Sequence, residues 1–455
     1  MRRGAAHRSI RCASTEPSTI RCRGCWVSAD NDREGLTTAT IGTGRAARGL
    51  ACAELGRDRD LSGRQRGSGM LIQRLKVSGL LSFGPNGIDL PLEGLNVLIG
   101  PNGSGKSNLL EVLSLLRASP TNLSAPVKDM GGITEWLWKG PNSLRAASID
   151  AVVAYPQGRQ PVRHVLEIVE HGGRFEVADE RIENEKSPAG RPAFSFYRFD
   201  KGHPALTDAF REVRPLSRES VKPEQSILSQ VRDPDRYPVL HWLQEQYERI
   251  CLYRNWSFGP SAAWRRDQSA HGRSDVLSDG GENLALVLSR IRSRVKNEFI
   301  DSLRRLFDGI EDIHLQIDGG NVLLFLVETG GREVPASRLS DGTLRYLSLL
   351  TILLQPDPPP LIAIEEPELG LHPDVLPHIA DLLVRASERT QLVVTTHARL
   401  LVDALTDRPS TVVVCAKENG ESRFERLDEA ALKTWLKKYT LGDLWSMGEL
   451  GGNRW

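Results

Sequence analysis

Leu95-Asn-Val-Leu-Ile-Gly-Pro-Asn-Gly-Ser-Gly-Lys-Ser107 is the stretch from which the fold can be read. Its first five residues, short and rich in branched apolar side chains, predict a buried strand. That strand runs straight into Gly100-Pro-Asn-Gly-Ser-Gly-Lys-Ser107, which fits the pattern GxxxxGK[ST]. Beyond the loop, Leu109, Val112, Leu113 and Leu116 recur at helical spacing and predict a helix over Ser107–Leu116. Gly100, Gly103 and Gly105 permit backbone angles that turn several N–H groups inward around an anion. The start of the helix adds partial positive charge at the same point. Lys106 can reach the β- and γ-phosphates of ATP, and the Ser107 hydroxyl suits one Mg²⁺ position. Residues Gly100 to Asn108, including Pro101, Asn102 and Ser104, are the predicted ATP-binding loop.

Three later segments carry chemistry that such a loop needs. Leu361-Ile-Ala-Ile-Glu-Glu366 is an apolar strand ending in two acids. A carboxylate at that end suits Mg²⁺, and its neighbour can polarise a water, so Glu365 is assigned to the metal and Glu366 to the base. Gln391-Leu-Val-Val-Thr-Thr-His397 is a second apolar strand, with a histidine placed to meet the γ-phosphate or the lytic water. Leu339-Ser-Asp-Gly-Thr343 precedes an apolar helix. On its own it reads first as an ordinary N-cap, with a second anion site as the other reading.

The order of the four segments resembles the heads of ABC-type ATPases, in their RecF/SMC-like branch. "GPNGSGKSN" is similar to the Walker A motif of that branch, "LSDGTLRYL" to its signature, "IAIEEPELGLHP" to its Walker B and D-loop, and "TTHARLL" to its switch histidine. The opening "LKVSGLLSFGPNGIDL" is similar to its first strands. The resemblance implies an α/β P-loop NTPase head of the ABC type, in which a mixed sheet with helices is joined to an antiparallel β subdomain and an inserted compact lobe. It implies ATP hydrolysis with Glu366 and His397 as catalytic residues, and dimerisation around two ATP molecules. Ser340 and Gly342 of one subunit would then contact the γ-phosphate held by Lys106 of the other. DNA binding in repair or recombination follows from the same likeness. Glu365 stands where an aspartate is usual, as in the EEPE ATPases of the branch, and Asp341 and Thr343 stand where transporters favour Gly and Gln. Gln157 and Gln160 are the candidates for the Q-loop glutamine. The interval from loop to signature is long for a transporter subunit and lacks the heptads of a coiled-coil arm. The 58 residues after His397 are too few for the Toprim nuclease domain of OLD-family relatives. The alternative partner is therefore a separately encoded nuclease or other effector, in a defence or toxin system, that the ATPase would license.

Composition narrows the rest. The chain has 455 residues, is 40% hydrophobic and 26% charged, and carries a net charge of +1. It has no apolar run long enough to cross a membrane, so no membrane partner is predicted and a cytoplasmic location is expected. Residues 1–69 hold 13 Arg, no Lys and 7 acids, a net of +6 that leaves −5 on residues 70–455. The same segment holds Cys12, Cys22, Cys25 and Cys52, with one CxxC pair and no clear second pair for zinc. It reads as a disordered extension or a mis-assigned start, and Met70 as the beginning of the folded part. The expected divisions are 70–180 for the first half of the head, 181–285 for an inserted lobe and 286–455 for the second half. Alternation predicts an antiparallel meander from Ser148 to about Val177 and a hairpin about Gly319-Gly320, whereas 184–238 shows little period. Helices are predicted near Val239–Arg249, Glu282–Phe307 and Leu344–Leu354. Arg265, Arg266 and Arg273, and the row Arg290, Arg292, Arg294 and Lys296, read either as a DNA-facing stripe or as solvated faces. The ending "LGDLWSMGELGGNRW" reads as an exposed partner-binding tail or as a strand packed on the head.

Overall fold

The computed structural model describes residues 70–451 apart from 141–143, 189, 191, 201 and 255. The leading arginine-rich segment and its CxxC pair lie outside the described residues. At the centre is a six-stranded sheet in the order Cys251–Tyr253, Leu361–Glu365, Gln391–Thr395, Leu95–Ile99, Val412–Glu418, Glu421–Arg426. The first five strands are parallel and the last is antiparallel. Parallel strands are covered on both faces, which is why Leu95–Ile99 and Gln391–Thr395 are buried at every position and read as continuous apolar runs.

Alternate residues of these strands feed two different cores. Leu98, Ala363, Val393 and Val413 point to one face, where helix Lys106–Ala118 and a large antiparallel sheet pack. Val97, Ile99, Ile364 and Val394 point to the other, filled by helices Leu284–Arg294, Asp341–Leu353 and Leu376–Ser387. The antiparallel sheet has eight strands, ordered Ile88–Pro91, Ile72–Ser78, Ala146–Val153, Val162–His171, Arg174–Asn184, Ser195–Asp200, His203–Thr207, Val213–Pro215. Buried Gln391 fastens the two sheets together. Its amide oxygen accepts from the N–H of Leu71 and Ile72, and its amide nitrogen donates to the carbonyls of Ile72 and Glu93. A third sheet pairs Ile310–Asp318 with Asn321–Glu328 as the predicted hairpin, flanked by Gln268–Ser269 and Arg332–Pro335.

The P-loop NTPase head of the ABC type is thus present, with mixed and antiparallel sheets as the motifs imply. Three expectations change. The antiparallel sheet runs on through residue 181, inside Arg174–Asn184, so the first part of the expected lobe continues that sheet. The predicted single helix over Glu282–Phe307 is two helices, Leu284–Arg294 and Lys296–Arg304, broken where Val295 leaves helical angles (φ −132°, ψ 44°). Of the ending, residues 441–451 are described, and they hold a helix packed on the head in place of the expected tail or strand. Helix Leu441–Met447 packs on helix Arg399–Asp403, just after His397, through the Arg399–Asp443 ion pair and the Thr440 hydroxyl bonded to Asp403.

Candidate active site

The carboxyl ends of the parallel strands meet along one edge, where open α/β sheets hold their ligands. Strand Leu95–Ile99 delivers the glycine loop. Gly100 has φ +148°, and a Cβ there would lie 2.1 Å from the Cys415 carbonyl oxygen on the neighbouring strand. Gly105 has φ +100°, and a Cβ there would meet the Ser422 and Ser82 hydroxyls at 2.2 and 2.7 Å. Those hydroxyls bond each other at 2.7 Å, and Ser82 accepts from Asn108 Nδ2 at 2.6 Å, so this region is tied to strand Glu421–Arg426 and to the turn after Ile72–Ser78. Pro101 is half-buried, while Asn102 and Gly103 at the tip are exposed. The Ser104 hydroxyl is buried and has no partner.

Lys106 is 6% exposed, and its Nζ donates to the carbonyls of Gly100 (2.7 Å) and Pro101 (3.1 Å). Burial pulls its pKa down, against the field of Cys415, Glu366, Glu365 and Glu368. A buried ammonium bonded only to neutral carbonyls, beside an orphaned serine hydroxyl, is a cradle that an anionic group would complete. Ser107, next along the helix, donates its hydroxyl to Glu365 Oε1. Two hard oxygen donors side by side fit Mg²⁺ chemistry.

Glu366 follows Glu365 with φ +46°, left-handed for a residue with a side chain. Its N–H donates to the Thr395 carbonyl at 3.0 Å, and its Oε1 lies 3.7 Å from His397 Nε2. His397 is about one-third exposed. Its pKa lies below the ordinary 6.5, through burial first and the Lys106 charge second, with Glu366 and Glu368 opposing. Glu368 fixes this turn by accepting from the Thr396 hydroxyl and the His397 N–H, both at 2.7 Å.

The structure therefore brings together Gly100–Asn108, Glu365, Glu366 and His397. It does not bring Ser340 and Gly342 to them: among the described residues no hydrogen bond or ion pair links either to the loop. Ser340 caps helix Asp341–Leu353, its hydroxyl accepting from the Thr343 N–H at 3.0 Å. Asp341 pairs with Arg265, whose other N–H groups hold the Phe258 and Leu339 carbonyls. Gln157 and Gln160 are on the loop between Ala146–Val153 and Val162–His171, where Gln160 accepts from the Lys186 N–H. Most of the arginines considered for DNA are paired within the chain: Arg273 with Asp275, Arg290 and Arg294 with Asp357, and Arg292 with Asp312.

Sequence reasoning missed Arg254, Trp256, Arg345 and Glu111. Arg254 follows the three-residue strand Cys251–Tyr253 and bridges Glu111 (2.7 Å) and Glu365 (3.2 Å). Trp256 Nε1 donates to the Glu365 carbonyl at 2.8 Å, and Arg345 donates to the Glu366 carbonyl at 2.7 Å. A strand of three residues is too short to show a period. The available signal was the charge of Arg345 in a helix that is mostly apolar beyond its first turn.

Fold and loop together define a P-loop ATPase domain of the ABC/SMC-like type. The chain belongs to the family described as AAA domain, putative AbiEii toxin, Type IV TA system, whose model matches residues 95–403. Among solved structures, an SMC head bound to the C-winged helix domain of ScpA has a TM-score of 0.52 at 14% identity, covering 79% of this chain and 99% of that one. An Smc head domain with an extended coiled coil, bound to the C-terminal domain of ScpA and derived from Pyrococcus furiosus, has a TM-score of 0.50 at 13% identity, covering 81% and 98%. At these identities the likeness is one of fold. No curated protein matches the chain. No helix among the described residues is long and apolar enough to cross a membrane.

Proposed function

We propose that the chain is a RecF-like ATPase that closes on a second copy around two ATP molecules, hydrolyses them, and acts on DNA in repair or recombination. The observation that carries the reading is the meeting of three strand ends. Lys106, Ser107, Glu365, Glu366 and His397 surround one loop, while Ser340 and Gly342 stand apart on a helix start. In this reading Gly100–Asn108 wraps the phosphates, and Lys106 exchanges its loop carbonyls for the β- and γ-phosphates. Ser107 and Glu365 would hold Mg²⁺, which supplies charge neutralisation on the phosphates. Glu366 takes a proton from the attacking water, and neutral His397 bonds the water or the γ-phosphate. Ser340 and Gly342 offer hydroxyl and N–H groups to the partner's γ-phosphate.

A second reading keeps the ATPase and changes its task to licensing a separately encoded effector, such as a nuclease. The description of the family as a putative toxin of a type IV TA system supports it. Mixing Lys106→Ala with Ser340→Arg subunits tests the shared site common to both. Each variant alone should be inactive, and the mixture should regain part of the activity, because one composite site keeps both residues. No regain would contradict sharing. DNA binding that strengthens with ATP in the wild type favours the first task; its absence favours the second.

A further inference from the structure

The turn that carries Glu366 is gripped by groups that no motif marks. Its left-handed angle is unfavourable for a residue with a side chain and persists only where neighbours over-determine it. The Glu366 N–H is held by the Thr395 carbonyl (3.0 Å) and the Thr395 hydroxyl (3.2 Å). Its carbonyl accepts from the Leu369 N–H (3.2 Å) and from Arg345 (2.7 Å). The Arg345 guanidinium lies over the Trp256 ring, 4.6 Å from its centre, while the indole N–H of Trp256 holds the Glu365 carbonyl. Two carbonyls in succession are thus fixed by two side chains stacked on each other.

Arg345 is an expensive residue at this position. It is 3% exposed in the middle of a helix of leucines, and its Nε has no partner. Burial lowers its pKa to about 10, even with Glu368 and Glu366 nearby. Of the other buried polar residues of that helix, Ser348 and Thr351 bond back to their own helix, and Tyr346 to the Ser302 carbonyl of helix Lys296–Arg304. Arg345 reaches across to the catalytic turn. The same helix touches that turn again at its start, where a Cβ on Gly342 would lie 2.6 Å from the Gly370 carbonyl.

We propose that Arg345, braced by Trp256, is the positioning residue for Glu366, and that it links the helix beginning at Ser340 to the Glu366 carboxylate. Fixing the Glu366 carbonyl fixes the peptide plane after it, and with it the direction of the side chain. A shift of the helix when an anion docks at Ser340 and Gly342 would act on the turn at two points, Gly370 and Glu366. Each subunit would thereby connect the site it completes in its partner to the base of its own site. The inference rests on the reading of Glu366 as the base.

Arg345→Met keeps side-chain length and apolar packing but removes the donor, Arg345→Lys keeps one, and Trp256→Phe keeps the ring without its N–H. Arg345→Met should lower kcat roughly tenfold to a hundredfold while the ATP dissociation constant stays within about threefold. Arg345→Lys should recover most of the loss. In a Glu366→Gln background, Arg345→Met should add little to the residual defect, because both act through one carboxylate. Independently of activity, hydrogen exchange across residues 361–371 should quicken in nucleotide-free Arg345→Met, with the glycine loop unchanged. The proposal is overturned by a kcat within about twofold of wild type, by affinity falling in step with kcat, or by losses that add fully to Glu366→Gln. If Arg345→Met does not fold, Trp256→Phe carries the same split between rate and affinity. If the wild type hydrolyses no ATP, or ignores Glu366→Gln, the functional reading fails. Exchange across 361–371 then decides the clamp alone, and unchanged exchange overturns it.

Discussion

The buried cluster around His164 in the antiparallel sheet and the edge of the parallel sheet treat polar groups in opposite ways. In the antiparallel sheet, fully buried His164 sits between Glu180 (3.1 Å) and the Tyr247 hydroxyl (3.3 Å). Glu180 also accepts from the Ser226 hydroxyl and, at 2.8 Å, from the Ile227 N–H. Each of the four side chains has a partner, so the cluster is closed and fixes one packing of strands against helices. At the edge of the parallel sheet, the Ser104 hydroxyl, one Arg345 nitrogen and one Glu368 oxygen are buried without partners, and Glu366 is strained. Closed networks hold a fold in one arrangement. Open valences beside strain mark where something else completes the site.

Substitutions on the two sides should separate these roles. The largest effect is expected from Glu366→Gln, which should slow hydrolysis roughly a hundredfold to ten-thousandfold in steady-state assays and leave unfolding unchanged. Glu180→Ala is the mirror case. It orphans the donors Ser226 and Ile227 and strips His164 of one of its two partners, at a cost of roughly 2–4 kcal/mol in denaturant unfolding. Residual folded protein should bind ATP normally; an unfolding midpoint equal to wild type would erase the contrast. Lys106→Ala should weaken ATP binding roughly 10- to 100-fold by calorimetry, since it removes the charged donor aimed at the phosphates. The smallest effect concerns pH. Burial holds His397 below 6.5, so it stays neutral as pH falls through that value, and activity should decline only at lower pH. His397→Gln should flatten that decline, and a break at or above 6.5 would contradict the electrostatics described.

What was legible in the sequence is what lies at the end of a short, mostly apolar strand. The glycine loop and His397 lie just beyond five-residue strands and Glu365 ends a third, and burial of these strands leaves runs that are mostly apolar. Arg254 and Trp256 follow a strand of three residues and contact Glu365 from more than a hundred positions away. The strands from Ser195 to Pro215 escaped notice in a stretch rich in proline and charge, and Val213–Pro215 is three residues long and exposed throughout, so it shows no alternation. Val295 breaks a helix whose apolar period continues on both sides, and periodicity alone does not register a break of that kind.

The central claim is that ATP joins two copies through the Ser340 and Gly342 helix start. It is tested most directly by the mass in solution of the Glu366→Gln protein with ATP and Mg²⁺, measured by light scattering on a sizing column. The account predicts a dimer that accumulates with ATP and is lost when Ser340→Arg is added, while ATP binding persists. A monomer at every concentration, with ATP bound, would contradict it.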